Sequence, residues 1–439
     1  MIIDRTTAIC RHCQQSHPAE IVHENGKIEG VVHCPATPYR HLLSSHPEMY
    51  LELRQRSVTP IDDPPPPELR PVLNYLSITN ACNFSCTICA ADARTATTGV
   101  FLSLEEILAR AASIPPEKRG LLYLIGGEPT LHPELEKIIE RLAAWGFNLA
   151  LASNGYLLGR DPSLAKRLKI AGLKRLALQF DSFEEKTLGC YARDALTEKN
   201  EAFRLATAAG LDVHLNCTVS SLNLPELGRL LVQGLEAGPR VRNLTFMVAA
   251  PTGRFTLVEP EVIDKEAVAL ALLKEGEDYL FTFADFLPLP SYLPWGLQVH
   301  PDCGVHIPFV RTPKRIFPLN RIVDLAAWYR LLASSRLRRQ GVWSQRLVPL
   351  LFLLRSFQPG TWSKVINIAL GLLFRRKSYS LVNLSISDYR AAMFLDEKRL
   401  ARCASAYHTS VGPVSGCSYF FRDQSLPGSR LSEVEQGKC

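Results

Sequence analysis

The feature that most constrains this chain is a repeat, between residues 73 and 250, of short apolar runs and helix-patterned segments. The runs read "LNYLSIT", "LLYLIGG", "LALASNG", "LALQF", "VHLNCTV" and "LTFMVAA". They have strand length, and the segments between them, such as "LSLEEILARAA" and "HPELEKIIERLAAWG", carry apolar residues at helical spacing. Strands that alternate with helices pair in parallel, because each helix is the crossover that returns the chain to the same end of the sheet. Six such units predict an α/β fold, a partial (β/α)6 TIM-like barrel, whose working residues gather on the loops after the strands.

The flanks differ in character. Residues 1–58 hold Cys10, Cys13 and Cys34 and read as a small metal-binding module. Residues 59–72 form a stiff linker around "TPIDDPPPPELRP", since proline fixes φ and removes a donor. Residues 73–260 are the expected barrel, and 261–439 a C-terminal extension with basic amphipathic helices and three further cysteines, Cys303, Cys403 and Cys417, besides Cys439. The chain has 439 residues, enough for a barrel-sized core with appendages, and 46% hydrophobic with 21% charged residues excludes wholesale disorder.

The opening "MIIDRTTAIC" places Asp4 and Arg5 where an export signal would be apolar, which predicts a cytoplasmic protein. In that reducing setting, twelve cysteines suggest metal ligands rather than disulfides. Charge is also uneven. Residues 311–377 carry fourteen Lys and Arg against one acid, Asp324, while the whole chain is only +7. Interleaved with runs such as "RLVPLLFLLRSF", this predicts basic amphipathic helices that meet a membrane surface at the inner face, because neither apolar run reaches spanning length. A basic cover over the barrel mouth, or a dock for an acidic electron donor, is the other reading. Nucleic acid is not expected, since no nucleic-acid fold accompanies the charge.

The chemistry centres on "CNFSCTIC". Cys82, Cys86 and Cys89 follow the first strand at the spacing C-x3-C-x2-C, on the barrel's active face. Three thiolates on one compact loop can hold three irons of a cubane and leave the fourth open, whereas a structural zinc would need a fourth protein ligand. After the second strand comes "GGEPT", with Gly126, Gly127, Glu128 and Pro129. After the third comes "SNG", with Ser153 and Asn154. Gln179 and Asp181 follow the fourth strand, Asn216 sits on the fifth, and "AAPTGR" after the sixth ends in Arg254.

In number, order and spacing these residues resemble the radical S-adenosylmethionine (SAM) superfamily. The resemblance implies that Cys82, Cys86 and Cys89 hold a 4Fe-4S cluster whose open iron binds SAM. An electron from the cluster then breaks the sulfonium bond and releases a 5'-deoxyadenosyl radical. It also implies that Glu128 of the GGEP stretch accepts from the SAM amino group. Ser153, Asn154, Gln179, Asp181 and Asn216 would contact the SAM carboxylate or ribose, and Arg254 would lie near the carboxylate. A ferredoxin or flavodoxin would be the reductant.

The flanks resemble a narrower group, the tetraether lipid synthases and their pterin-methylating relatives. That likeness implies a mononuclear iron or zinc on Cys10, Cys13 and Cys34, with His41, His33 or His23 as fourth ligand. It further implies an auxiliary iron-sulfur cluster on Cys303, Cys403 and Cys417. Ser291 and Trp295 stand where relatives carry a further cysteine pair, which argues against a second auxiliary cluster. Cys190, Cys217 and Cys439 are read as structural. The expected activity is hydrogen abstraction from an unactivated carbon, plausibly of a lipid alkyl chain, for carbon–carbon bond formation or alkylation. Methylation of a small heterocycle, peptide modification, or a non-catalytic metal-binding scaffold are the alternatives.

Overall fold

The structure is a computed structural model. It describes residues 1–57, 73–257, 262–275, 279, 281–288, 300–325 and 379–421, with positions 366, 368 and 371 between. The proline-rich linker, most of the basic stretch 311–377, Ser291, Trp295 and Cys439 lie outside the described residues.

The N-terminal strands β1 (Ile2–Ile9), β2 (Ser16–Glu24), β3 (Lys27–Val32) and β4 (Tyr39–Ser44) form an antiparallel sheet. Its fifth strand, Leu395–Asp396, comes from the far end of the chain and pairs with β1. Ile21, Ile28 and Val32 pack there with Phe394 in one core. A side chain at Gly30 would strike the Phe394 ring at 2.6 Å. The module is thus closed by the C-terminal extension.

The expected six strands are present as β5 (Leu73–Thr79), β6 (Leu121–Gly126), β7 (Asn148–Ser153), β8 (Arg175–Gln179), β9 (Asp212–Val219) and β10 (Val241–Val248). Each pairs in parallel with its neighbour in chain order. A helix follows each strand: Leu104–Ala112, Leu135–Ala144, Leu164–Ala171, Leu196–Ala208, Leu227–Glu236 and Lys265–Glu275. The first is started by a capping box between Ser103 and Glu106. Outward residues such as Leu122, Leu124, Leu149 and Leu176 are wholly buried against these helices. Each contributes roughly 1.5–3 kcal/mol by leaving water.

Four later strands are β11 (Gly304–Arg311), β12 (Ile316–Pro318), β13 (Ser380–Asp388) and β14 (Ser405–Thr409), followed by β15 (Gly412–Ser415). The extension therefore enlarges the sheet at both edges. β13 joins β10 in parallel and β14 joins β5 in parallel, giving eight parallel strands, with β11 and β12 antiparallel outside β13 and β15 outside β14. One cavity of about 540 Å³ touches residues from β5 to β11, β13 and β14, so the sheet curls around it. The inward residues on the middle strands are small, Ala150, Ala152 and Ala177, and this leaves the space open.

Burial on the cavity side also fixes the charge state of two histidines. His214 and His306 have pKa values lowered to about 3 by loss of solvent, so both are neutral in the folded protein above that pH. In the unfolded chain they protonate near 6.5, so their contribution to stability is present above 6.5 and is lost as pH falls toward 3. Each should cost about 2 kcal/mol of stability at pH 5 relative to neutral pH. Urea midpoints at pH 7.5 and 5.0 are expected to fall on acidification, and His306→Gln to reduce the fall. A midpoint that is the same at both pH values contradicts this.

Candidate active site

The loop after β5 carries the three cysteines in a shallow burial. Cys82 and Cys86 are each 8% exposed and Cys89 is half-buried. Backbone N–H groups point at two sulfurs, Phe84 at Cys82 and Ala93 at Cys89, both at 3.4 Å. Burial pushes the Cys82 thiol up to about 12, so a metal must displace its proton. Among the described residues, three ligand atoms come within 4.8 Å of one another only at Cys10, Cys13 and Cys34. Cys82, Cys86 and Cys89 are spread more widely, as a polynuclear cluster requires and a single ion does not.

Three further loops hold that one in place. The Gly127 and Glu128 N–H groups donate to the Thr79 and Ala81 carbonyls at 2.9 and 2.7 Å. A side chain at Gly127 would meet the Ala81 carbonyl oxygen at 2.2 Å, so the GGEP loop can lie there only with glycine. The loop after β10 does the same on the other side. Gly253, at φ +62°, sits against the Cys89 carbonyl, and Arg254 pairs with Cys89 in a short antiparallel bridge. The Arg254 guanidinium donates to the Cys86 and Ala93 carbonyls at 2.7 and 3.1 Å. Arg193 closes the third side, donating to the Ile88 carbonyl at 2.8 Å and to Asp181 at 2.7 Å.

Of the residues expected near SAM, Arg254 and Asp181 bond other groups of the protein and Gln179 and Asn216 line the cavity. Arg254 is turned to the backbone of the cysteine loop and does not line the cavity. Asp181 is fully buried, with Oδ2 on Arg193 and Oδ1 accepting from the Thr218 N–H at 2.7 Å, and it too is absent from the lining. Both brace the cysteine loop, and Arg254 keeps Nη2 buried without a partner. Gln179 and Asn216 do line the cavity. With its carboxamide oxygen toward Arg193, Gln179 accepts from it at 3.0 Å.

Glu128 knits two strand ends together. Its Oε1 accepts from the Thr130 N–H, the Thr130 hydroxyl and the Ser153 hydroxyl, and its Oε2 accepts from the Asn154 N–H at 2.7 Å. Only Oε2 retains capacity for an ammonium group. Burial raises its pKa and the four bonds oppose that. Asn154 donates to Asn83 beside the cysteines at 2.8 Å. Lys199, wholly buried, fastens the same region by donating to the Asn154 and Gln179 carbonyls at 3.1 and 2.9 Å. Pro129 opens the short turn that follows.

Cys303, Cys403 and Cys417 line the same cavity as the first three cysteines, although they are far apart in the chain. Cys303 precedes β11, Cys403 precedes β14 and Cys417 follows β15, so the sheet edges bring them together. The Cys403 pKa is lowered to about 6, first by a hydrogen bond from Cys417 and then by backbone N–H groups, with burial opposing. Cys217 is buried on β9 against the Asp181 carbonyl, and Cys190 is exposed.

At the N-terminal site, the Cys13 and Cys34 sulfurs are 3.8 Å apart. The Cys34 pKa is lowered to about 6, chiefly by the Thr37 N–H. His41 is not at this site: its Nε2 meets the Arg390 carbonyl at 2.9 Å. His33 faces Glu20 at 3.6 Å. His17 is the histidine beside the thiols, with Nε2 3.1 Å from Cys13. Sequence spacing could have offered it, four residues after Cys13, but only the β2 register turns it inward.

Sequence reasoning also missed Arg193, Lys199 and the polar side chains His214, Asn243, Thr245, His306 and Ser385 that line the cavity. Their positions come from strand register and loop return, which leave no local motif.

A strand-end loop of three spaced thiols, beside a glycine-rich loop on a curled parallel sheet, defines an iron-sulfur barrel enzyme. Residues 76–228 match the Radical SAM superfamily. The chain is 26% identical over 463 aligned residues to 7,8-dihydro-6-hydroxymethylpterin dimethyltransferase of Methanocaldococcus jannaschii, covering 92% of this chain and 90% of that protein. It is 29% identical over 226 residues to GTP 3',8-cyclase of Helicobacter pylori, covering 48% of this chain and 70% of that one. The crystal structure of Streptococcus suis SuiB bound to precursor peptide SuiA is similar at 13% identity and a TM-score of 0.40, over 48% and 46% of the two chains. Residues 76–228 are thus a radical SAM domain, and the protein is a radical SAM enzyme with a 4Fe-4S cluster and SAM as cofactors. Among the described residues, no helix is long and apolar enough to cross a membrane.

Arg254→Ala should weaken cluster binding about 10-fold or more while leaving the fold intact, because it removes two bonds to the ligand loop. Iron and sulfide retained by anaerobically reconstituted protein after a chelator challenge is the measurement. Retention equal to the parent would refute the role given to Arg254.

Proposed function

We propose that this enzyme functionalises a carbon of a small, polar, planar heterocycle of the pterin kind, by methylation. The observation that carries the reading is the row of hydrogen-bonding side chains on the cavity wall: His214, Asn216, Asn243, Thr245, His306 and Ser385. They carry no formal charge at neutral pH, since burial keeps both histidines neutral. Several are pre-aligned. His306 Nδ1 meets Ser385 Oγ at 2.9 Å, Ser385 donates to Asn243 Oδ1 at 3.3 Å, and Tyr123 meets His214 Nδ1 at 3.1 Å. A ring rich in N–H and carbonyl groups would match the donors and acceptors these bonds leave over, whereas an alkyl chain would desolvate them without a partner, at about 1–3 kcal/mol per unmatched group.

Aromatic and small apolar residues supply the rest of the enclosure. Tyr123, Tyr75, Tyr407 and Tyr419 stack in one column, with ring centres 5.1, 4.7 and 4.2 Å apart. Similarity along most of the chain to a pterin dimethyltransferase supports the same substrate class. The expectation of a lipid alkyl substrate at a membrane rested on residues 311–377, most of which lie outside the described residues.

When bound, the cluster and SAM supply a reductively formed carbon radical that takes a hydrogen atom. The chain's own residues fix the cysteine loop, exclude water and hold the ring. Arg193, Arg254 and Glu128 belong to the first task; Asn243, His306 and Ser385 belong to the last.

The test is anaerobic turnover with dithionite and SAM, offering 6-hydroxymethyl-dihydropterin in one arm and phospholipid vesicles in the other. Pterin-dependent formation of 5'-deoxyadenosine is expected, together with a methylated product whose methyl group comes from a second SAM that leaves as S-adenosylhomocysteine, both electrons coming from dithionite. Asn243→Leu should lower kcat/KM about 10–100-fold, with uncoupled SAM cleavage unchanged. Turnover stimulated by vesicles and not by pterin would overturn the proposal.

A further inference from the structure

Arg399 lies on the short helix Glu397–Ala401, is only 3% exposed, and borders the cavity together with Cys303, Cys403 and Cys417. One nitrogen is used. Its Nη2 donates to the Asp388 carbonyl at 2.9 Å, and the Asp388 N–H donates in turn to the Cys303 carbonyl at 2.9 Å. The guanidinium is thereby tied to the backbone of one of the three cysteines. Its other two donor atoms, Nε and Nη1, are buried and have no hydrogen-bond partner.

Leaving two such donors unmatched is costly, so a group that accepts from them belongs at this position. The surroundings say which. The thiols of Cys303 and Cys417 line the cavity beside this guanidinium. Asp302 meets Arg54 through Oδ2 at 3.1 Å, and its Oδ1, like Asp388 Oδ2, is buried without a partner and out of hydrogen-bond reach of Arg399. Cys403 and Cys417 are in hydrogen-bond contact, but the three thiols do not all come within the 4.8 Å of one another that would suit a single ion. Sulfur atoms of a polynuclear cluster would therefore be the acceptors within reach, and a guanidinium is a fixed positive charge beside them.

We propose that Arg399 donates through Nε and Nη1 to an auxiliary iron-sulfur cluster on Cys303, Cys403 and Cys417, and raises its reduction potential. Arg399 is a positioning residue: it ligates no iron. Adding an electron makes the cluster more negative, and N–H···S bonds from a cation stabilise that reduced form more than the oxidised one. The inference rests on the auxiliary-cluster reading of the three cysteines, and the experiment separates the two.

In the full chain, Cys82, Cys86 and Cys89 are replaced by Ala so that only the auxiliary cluster remains. Its one-electron midpoint is measured by EPR during dithionite titration. Protein that binds no iron together with acid-labile sulfide in this background overturns the auxiliary cluster itself, since iron alone can sit on Cys10, Cys13 and Cys34. With iron bound, Arg399→Gln is expected to shift the reduction equilibrium about 10-fold or more toward the oxidised form, about 59 mV for one electron. Arg399→Lys, which keeps the buried cation, is expected to recover part of that shift. A midpoint unchanged in Arg399→Gln overturns the role of Arg399 and leaves the cluster standing.

If Arg399→Gln does not load, the parent grown with ¹⁵N-arginine decides. Pulsed EPR of its reduced cluster is expected to show a nitrogen coupling that disappears in Arg399→Lys. No coupling, or one that persists in that variant, overturns the proposal.

Discussion

The structure turns on the way one short loop is gripped by backbone. Three thiols can share a cubane and leave an iron open only if their spacing is set before the metal arrives. Regular structure reaches the loop only as two-residue strands, Ala81–Cys82 and Ile88–Cys89. The spacing comes instead from carbonyl groups: Thr79 and Ala81 are held by the glycine-rich loop, Cys86 and Ala93 by Arg254, and Ile88 by Arg193. Gly127 and Gly253 lie where any side chain would collide with those carbonyls. The loop is therefore a meeting point of three strand ends, and the barrel exists to bring them together.

Much of this was legible in the sequence because its signals were local. The six strand–helix units carried their own periodicity, and all six strands appear where the apolar runs placed them. The thiol triplet, the GGEP stretch and the terminal Gly-Arg could be ordered along that repeat. What could not be read was direction. Arg254 and Asp181 have the right positions for cofactor contacts, yet their side chains turn to the cysteine loop and to Arg193. His41 is displaced from the N-terminal thiols because β4 aims it at the Arg390 carbonyl, while β2 brings His17 in. The two extra parallel strands were invisible for a related reason. "LVNLSIS" and "SAYHT" lack a following crossover helix, and only long-range pairing reveals them as barrel strands.

The extension explains how one cavity serves two sets of cysteines. By adding β13 beside β10 and β14 beside β5, it carries Cys303, Cys403 and Cys417 to the same space as the first triplet. Phe394 and the Leu395–Asp396 strand then lock the N-terminal module onto this region. Arg399 and Cys403 follow within a few residues, so the module braces the helix that presents them. Between the two thiol sets lies a wall of neutral hydrogen-bonding groups over small apolar residues, a surface suited to a polar ring.

The central claim is that the cluster on Cys82, Cys86 and Cys89 keeps one iron free for SAM. Its most direct test is EPR and electron-nuclear double resonance of the reduced protein, in a background lacking Cys303, Cys403 and Cys417, with and without SAM labelled at its amino nitrogen. The account predicts a changed cluster signal and a nitrogen coupling on adding SAM. A spectrum that SAM leaves untouched, with no coupling, would contradict it.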